Sequence, residues 1–215
     1  RIFNADGSEA EQCGNGSRCV ALLVNKLGLS HKDTLQWQTT RGLTKTVLYL
    51  SNREVTVETH MQAPLIEWPE IPFDKYDGRG QTEIEVSSGG LSIFPISIGN
   101  PHAVIFVNNV SEEDVVGIGE EVSHHSKFVN KANVEFCQIV NKREIALRIY
   151  ERGVGETAAC GSGAAAAFAA SKMLGKVTSQ VRVKMPGGEL SLDWEETDSE
   201  LKVLGPATLV YSGEI

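Results

Sequence analysis

The chain has 215 residues, of which 41% are hydrophobic, and a formal net charge of −8. That length can bury a substantial core as one large domain or two small ones, while the acidic balance argues against nucleic acids and acidic membrane surfaces as partners. No apolar run approaches the ~20 residues of a membrane-spanning helix. The four cysteines are too few for a secreted disulfide framework, so we expect a reduced, cytoplasmic protein.

The first predicted helix follows Cys13 and ends at Leu27-Gly28, where glycine is a stop signal. Cys19 lies on the body of this helix, and we expect it to be an ordinary core residue. The helix is predicted from apolar residues at helical spacing, which are Val20, Leu23, Val24 and Leu27.

Residues 35–57 alternate apolar and polar side chains with breaks at Arg41-Gly42 and Ser51-Asn52, which predicts antiparallel strands joined by hairpins. Residues 61–78 are rich in proline and are interpreted as the connection between two halves, with Trp68 and Phe73 as packing residues. A strand is predicted at 81–86, followed by a turn.

The segment 93–107 contains Gly99-Asn100-Pro101-His102. Proline cannot donate to a strand ladder, so the strand is interrupted there and the neighbouring side chains are free to face a cleft. The Asn100 amide offers both a donor and an acceptor. A polar helical stretch is predicted at 111–126, with His124-His125 on its solvated surface.

Strands are predicted at 133–140, with Cys137 in the core, and at 144–150, which leads into Glu151-Arg152. A guanidinium binds a carboxylate with two parallel hydrogen bonds, and the adjacent Glu151 can hold an ammonium group. A pair of opposite charges on a surface strand is the alternative interpretation. The position just before a cysteine loop favours a binding role.

Cys160 stands between a Gly-rich turn and an alanine run, residues 164–167, which predicts a helix small enough to be enclosed by a curved sheet. Free N–H groups and the dipole at a helix start favour a thiolate and can hold an anion such as a carboxylate. After this helix, a hairpin is predicted at 181–192 with its break at 186–188. Residues 207–211 are predicted to form a final strand that returns to the first half.

The two cysteine segments are copies of each other. The offset of 147 that relates Cys13 to Cys160 also aligns several flanking residues without a gap, namely Arg1 with Arg148, Glu9 with Glu156, Gly14 with Gly161, Gly16 with Gly163, and Leu27-Gly28 with Leu174-Gly175. We therefore predict an α+β protein of two pseudo-symmetric halves, residues 1–62 with 206–215 and residues 63–205. In each half a curved, mostly antiparallel sheet wraps around a central helix, and the halves face each other across a cleft. The first half has no counterpart of the long segment before Arg148, so we expect about fifty or more residues upstream of Arg1.

A matched pair of thiols suits the inversion of a carbon centre, because one group must remove a proton and another must return one on the opposite face. Two buried cysteines that cap helices by chance are the bland alternative. A CxxC metal or redox motif is absent from the sequence, since Cys13 and Cys19 are too far apart and Cys160 has no cysteine near it.

Four sequence motifs resemble those of the diaminopimelate epimerase family across essentially the whole chain. They are Phe3-Asn4-Ala5-Asp6-Gly7-Ser8-Glu9 leading to Cys13-Gly14-Asn15-Gly16-Ser17-Arg18-Cys19, then Gly99-Asn100-Pro101-His102, Asn133-Val134-Glu135-Phe136, and Tyr150-Glu151-Arg152-Gly153-Val154-Gly155-Glu156-Thr157 leading to Cys160-Gly161-Ser162-Gly163. The resemblance implies conversion of LL-2,6-diaminopimelate to the meso form with no cofactor and no metal.

The resemblance also implies residue roles. Cys13 would donate and Cys160 accept a proton, with roles that swap with direction, and His102 and Glu151 would support catalysis. Tyr211 would be a contact in a homodimer. The expected substrate-binding residues are Asn4, Gly14, Asn15, Asn100, Asn133, Glu151, Arg152, Gly161 and Ser162.

Two other functions remain open. One is a two-cysteine racemase acting on proline or hydroxyproline, a related group whose first motif typically has His where Asn15 stands here. Asn15 and the Glu151-Arg152 pair argue against it. The other is an inactive module that uses the Gly-rich loops to bind anions.

Overall fold

The computed structural model describes residues 1, 3, 7, 13–39, 42–51, 54–65, 71, 73–74, 76 and 80–214. The helices in this part of the chain are α1 Gly14–Lys26, α2 Val115–Ser123 and α3 Gly161–Met173, with a 3-10 turn at Val110–Glu112. The strands are β1 Thr34–Thr39, β2 Gly42–Leu50, β3 Val55–Met61, β4 Thr82–Val86, β5 Gly89–Ser97, β6 Pro101–Val107, β7 Asn133–Asn141, β8 Glu144–Glu151, β9 Gly155–Thr157, β10 Gln180–Met185, β11 Gly188–Asp193 and β12 Leu201–Pro206.

The described strands form one curved, open 12-stranded sheet in the order β1-β2-β3-β12-β11-β10-β8-β7-β6-β5-β4, and β9 pairs with β8. Neighbouring strands are antiparallel except for β6 with β7 and β8 with β10. Each parallel pair is joined by a crossover that contains a helix, α2 in the first case and α3 in the second. The mixed α+β architecture with hairpins at the predicted breaks is confirmed.

Helix α3 is enclosed by the sheet, as its composition predicts. Residues 164–170 are fully buried, and they pack against side chains such as Phe94, Leu147 and Val183 from separate strands. Because six of these seven residues are alanine, the strands approach the helix closely on every side.

Helix α2 covers the other face of the same strands, so this half has three layers. Along β7, Val134 and Phe136 face α2, whereas Cys137 faces α3, as the two-residue period of a strand requires. Gly119 allows the close approach of α2, since a β-carbon placed there would lie 2.6 Å from the Tyr150 β-carbon. His124 is exposed and His125 is half-buried.

The first half has a smaller core, in which Ala21 and Leu22 of α1 pack against Leu48 and Val57. The predicted helix is present, but most of the apolar residues at helical spacing do not face the sheet: Leu23 is 46% exposed, and Val20 and Leu27 are also exposed. The buried row is Gly14, Arg18, Ala21 and Leu22. Because this row contains a glycine and an arginine, it cannot be recognised from the positions of the apolar residues alone.

Cys19 is exposed, which corrects the prediction of a core residue, whereas Cys137 is fully buried as predicted. Cys19 is the next residue on α1 after the buried Arg18, and its exposed side chain points away from the sheet. Phe73 packs in the core formed around α2, and Trp68 lies outside the described residues.

The two halves are joined by a strand pair, β12 with β3, in which Leu201 lies opposite Met61 and Pro206 opposite Thr56. The predicted strand at 207–211 is misplaced, because the strand is 201–206 and ends after the bond from Ala207 N to Val55 O. Its return to the first half is correct. None of the helices in the described residues is long and apolar enough to cross a membrane.

Candidate active site

The two cysteines occupy equivalent positions. Helices α1 and α3 both have 13 residues, and Cys13 and Cys160 are their N-caps, each in an extended backbone conformation. Cys13 Sγ accepts a hydrogen bond from Gly16 N at 3.2 Å, and Cys160 Sγ accepts one from Gly163 N at 3.4 Å. The far ends match too, because both helices are followed by a glycine with positive φ. This geometry supports the internal duplication.

The starts of the two helices meet in space. A β-carbon placed on Gly161 would lie 3.5 Å from Asn15 Oδ1 and 3.8 Å from Gly14 Cα. The residues that follow Cys13 and Cys160 are therefore neighbours although they come from different halves. Two helix starts that meet bring two sets of free N–H groups to one place, which suits an anion.

Cys160 lies in an environment that keeps its sulfur protonated. The side chain is 8% exposed, and burial, together with the carboxylate of Glu151, raises the pKa of the thiol to about 12. The hydrogen bonds from Ser162, whose Oγ lies 3.4 Å from Sγ, and from Gly163 act in the opposite direction but are outweighed. The N–H groups at the helix start are therefore not sufficient to favour a thiolate at Cys160, contrary to the expectation from the sequence. Cys13 is less deeply buried than Cys160.

Glu151, Arg152 and Asn133 lie together where β8 ends and β7 begins. Thr157 Oγ1 donates to Glu151 Oε1 at 2.5 Å, which fixes the carboxylate. Asn133 Oδ1 accepts from the backbone N–H of Arg152 at 2.9 Å, so its amide nitrogen remains available as a donor. The Arg152 guanidinium donates to the carbonyl of Asn130 at 2.9 Å.

His102 is fully buried and is held by two side chains. Its Nδ1 lies 2.7 Å from Glu135 Oε1, and its Nε2 lies 3.1 Å from Asn100 Oδ1. Both ring nitrogens of His102 are therefore bound by side chains. Burial raises the pKa of the Glu135 carboxyl, and the attraction of His102 offsets only part of that effect.

Glu135 was not recognised as a functional residue in the sequence. It lies within an apolar strand between Val134 and Phe136, and it is fully buried. A carboxyl group at such a position requires a partner, and that requirement was the available signal. The partner itself, His102, is 33 positions away and could not be identified from spacing.

Arg18 is a second residue that sequence reasoning missed. It is 7% exposed, and its Nη2 donates to Asn15 Oδ1 at 2.7 Å. The guanidinium therefore sets the orientation of the Asn15 amide at the meeting point of the two helix starts. In the second half the equivalent positions are Ser162 and Ala165, so the two copies differ here.

Two predicted residues, Asn4 and Tyr211, remain. Asn4 lies outside the described residues. Tyr211 is 83% exposed in the segment after β12. In the part of the chain that the structure describes, no three His, Cys, Asp or Glu side chains converge as a metal site would require.

Comparison with known proteins agrees with this geometry. The sequence profile of the family described as diaminopimelate epimerase matches residues 1–63 and 94–210. The diaminopimelate epimerase of Legionella pneumophila strain Paris is 40% identical over 100% of this chain and 77% of its own length. The enzyme of strain Corby is 39% identical with the same coverage.

Solved structures at low identity share the fold. A hydroxyproline epimerase from Agrobacterium vitis with bound trans-4-OH-L-proline has a TM-score of 0.72 at 14% identity, covering 97% of this chain and 68% of its own. A probable proline racemase from Agrobacterium radiobacter K84 with bound carbonate has a TM-score of 0.67 at 16% identity, covering 94% and 67%. On the sequence match over the whole length and the paired cysteine-capped helices, the chain belongs to the diaminopimelate epimerase family.

Proposed function

We propose that this chain is an isomerase that converts LL-2,6-diaminopimelate to meso-2,6-diaminopimelate with two cysteines and no cofactor, a step that serves lysine and cell-wall precursor synthesis. The meeting of two cysteine-capped helix starts carries the proposal. Each cysteine comes from a different half, so the sulfurs can approach one carbon from opposite sides. The family membership supports diaminopimelate as the substrate.

The proton balance of the reaction is simple. The thiolate of one cysteine takes the α-proton, and the electron pair of the broken C–H bond passes to the carbon and its carboxylate. The thiol of the other cysteine then returns a proton on the opposite face. When Cys13 is the base, Cys160 is the donor, and its raised pKa suits a group that holds a proton to give. The resemblance implies Cys13 as donor and Cys160 as acceptor, and the two roles swap with the direction of the reaction.

The two loops stabilise the charge that develops on the substrate. N–H groups at Gly14 and Asn15 in one loop, and at Gly161 and Ser162 in the other, hold the α-carboxylate. The remaining recognition residues are Asn4, Asn100, Asn133, Glu151 and Arg152, with His102 in support of catalysis. Among these, Asn133 and Glu151 are already oriented by Arg152 N and Thr157.

The test is to replace each cysteine by alanine and to follow both epimerisation and deuterium uptake from solvent. We expect Cys13→Ala and Cys160→Ala each to lower the rate by at least about 10²-fold, the usual effect of losing a general acid or base. Cys19→Ala is the matched control, since it is exposed on the same helix as Cys13, and it should leave the rate unchanged. Normal turnover by Cys160→Ala would exclude the two-base mechanism.

A proline or hydroxyproline racemase is the second candidate, because the fold is shared with such proteins. A substrate panel of diaminopimelate, proline and trans-4-hydroxyproline separates the two. Deuterium uptake into any of them excludes an inactive anion-binding module.

The quaternary structure and location are part of the proposal. We propose a cytoplasmic homodimer with Tyr211 in the interface, in which the halves are residues 1–62 with 206–215 and residues 63–205. The wide exposure of Tyr211 supports a partner contact. Light scattering on the wild type and on Tyr211→Ala should show a dimer that the substitution weakens.

A further inference from the structure

Asn100, His102 and Glu135 form a chain of hydrogen bonds that runs from the edge of β6 into the core. We propose that Glu135 is a positioning residue: it keeps a proton on Nε2 of His102, which holds the Asn100 carbonyl oxygen and leaves the Asn100 amide nitrogen to donate to the substrate. The claim that the Asn100 amide donates to the substrate rests on the proposed function. The claim that Glu135 keeps a proton on His102 Nε2 concerns the protein without substrate.

The number of protons in the chain follows from the donors and acceptors. A carbonyl oxygen only accepts, so the 3.1 Å contact of Asn100 Oδ1 with His102 Nε2 requires a proton on Nε2. Glu135 Oε1 and His102 Nδ1, 2.7 Å apart, share another. The pair therefore holds two protons and carries no net charge, either as acid with neutral imidazole or as carboxylate with imidazolium.

The reverse orientation of the Asn100 amide is disfavoured. An amide nitrogen that donated to Nε2 would require that nitrogen to be unprotonated. The pair would then either hold one proton and a net negative charge, or hold its second proton on Glu135 Oε2, which is buried and has no hydrogen-bond partner among the described residues. Both side chains are fully buried, and a buried charge without a counter-charge is costly. The neighbouring charge of Glu151 raises the pKa of Glu135 further and adds to that cost.

The pair lies directly beneath the first turn of α3. A β-carbon placed on Gly163 would lie 2.9 Å from Glu135 Oε1, and the N–H of Gly163 donates to Cys160 Sγ. A neutral pair at this point avoids a full negative charge under a sulfur that must become a thiolate in one direction of the reaction. The second oxygen of Glu135 is buried without a partner among the described residues, which favours the protonated acid or its close equivalent.

Stability alone gives no reason for a glutamate here. Its neighbours on the α3 side of the sheet are Ile149 and Cys137, and buried ionisable pairs are often replaced by apolar residues without loss of stability. A positioning role predicts a different result for two substitutions of similar size.

The experiment compares Glu135→Gln with Glu135→Leu. The glutamine amide can donate to Nδ1, so the proton stays on Nε2, whereas leucine removes the partner of Nδ1. The His102 tautomer is read from ring ¹⁵N shifts in protein labelled at histidine and assigned with His102→Gln. In Glu135→Gln we expect the wild-type tautomer and kcat/KM within about 10-fold of wild type. In Glu135→Leu we expect a changed tautomer and a loss of about 10- to 100-fold, the effect of one or two buried hydrogen bonds.

Glu58→Gln is the matched control, since Glu58 Oε1 lies 2.7 Å from His60 Nε2 in a second buried histidine pair of the same sheet. It should leave the His102 shifts and kcat/KM unchanged. A folded Glu135→Leu protein with the wild-type tautomer and rate overturns the proposal, and so does a Glu135→Gln protein with a displaced tautomer. If the leucine protein does not fold, the glutamine protein decides by its shifts. If the wild-type protein does not epimerise diaminopimelate, the proposed function is wrong. The His102 tautomer in the Glu135 variants still tests whether Glu135 positions the His102 proton.

Discussion

At the residue scale, Gly163 and Gly161 show how the space beside a cysteine is allocated. A β-carbon on Gly163 would meet Glu135 Oε1 at 2.9 Å and Ile149 Cδ1 at 3.0 Å, both in the packed interior. A β-carbon on Gly161 would find its nearest neighbour, Asn15 Oδ1, at 3.5 Å, which is an ordinary contact. The two glycines of one turn therefore serve different purposes.

Gly163→Ala should lower the free energy of unfolding by roughly 1–3 kcal/mol, because the new methyl group displaces buried side chains. Gly161→Ala, the matched change two positions earlier, should leave it within about 0.5 kcal/mol. Urea denaturation of both variants measures the difference. Equal stability of the two proteins would contradict the packing argument.

The chemistry of Cys160 also belongs to this scale. Its pKa of about 12 has burial as the first cause and the Glu151 carboxylate as the second. Glu151→Gln removes a negative charge, so the pKa should fall and more thiolate should exist at a given alkaline pH. Alkylation of Cys160 by iodoacetamide, followed by peptide mass spectrometry, should reach its half-maximal rate at lower pH in this variant. An unchanged or higher midpoint would rule out the carboxylate as a cause.

At the element scale, α1 and α3 are copies in length and capping but not in surroundings. Helix α3 is buried along its length, and six of its 13 residues are alanine, whereas α1 contacts the sheet with one row and leaves Val20 and Leu23 exposed. The same local sequence rules thus start and stop both helices, and tertiary packing decides which faces are covered.

Ala166→Leu should destabilise the protein by about 1–3 kcal/mol, because its fully buried position has no room for three more carbons. Leu23→Ala on α1 should change stability by about 0.5 kcal/mol or less, since Leu23 is 46% exposed. Thermal melts of the two variants test the contrast. A larger loss from the α1 change would show that α1 is covered in solution.

Elements with strong local signals were predictable. The helix starts at Cys13 and Cys160, the hairpins after each helix and the strand ending at Glu151 all follow from turn residues and periodicity. Arg18 and Glu135 were not predictable from the sequence. Each is a charged residue in a buried position: Arg18 lies in the buried row of α1, and Glu135 pairs with His102, which is distant in the sequence. The prediction for Cys19 was wrong because the face of α1 that packs on the sheet carries Ala21 and Leu22, and Cys19 lies outside that face.

At the scale of the whole molecule, buried thiols couple stability to alkaline pH. Burial raises the pKa of Cys137, like that of Cys160, from the usual 9.0 to about 12. A group whose pKa is higher in the folded than in the unfolded protein contributes its full stabilisation of the folded state at pH values below its pKa in the unfolded protein. That contribution is lost as pH rises from about 9 towards 12.

The free energy of unfolding should therefore fall across this range by about 1.4 kcal/mol per pH unit for each buried thiol. Cys137→Ala should reduce the slope by about one thiol's share, whatever the substitution does at neutral pH, and the exposed Cys19→Ala should not change it. Urea titrations across the alkaline range give the slopes. A slope that is the same in all three proteins would contradict the assignment.

The pairing of β12 with β3 has a consequence for synthesis on the ribosome. Strand β3 is translated well before its hydrogen-bonding neighbour β12, which is the last strand of the described sheet. Until residues 201–206 leave the exit tunnel, the nascent first half has an open strand edge, which is a template for pairing with other chains. The first half therefore completes its sheet only after β12 has been synthesised, and a chaperone that shields the β3 edge would act in that interval.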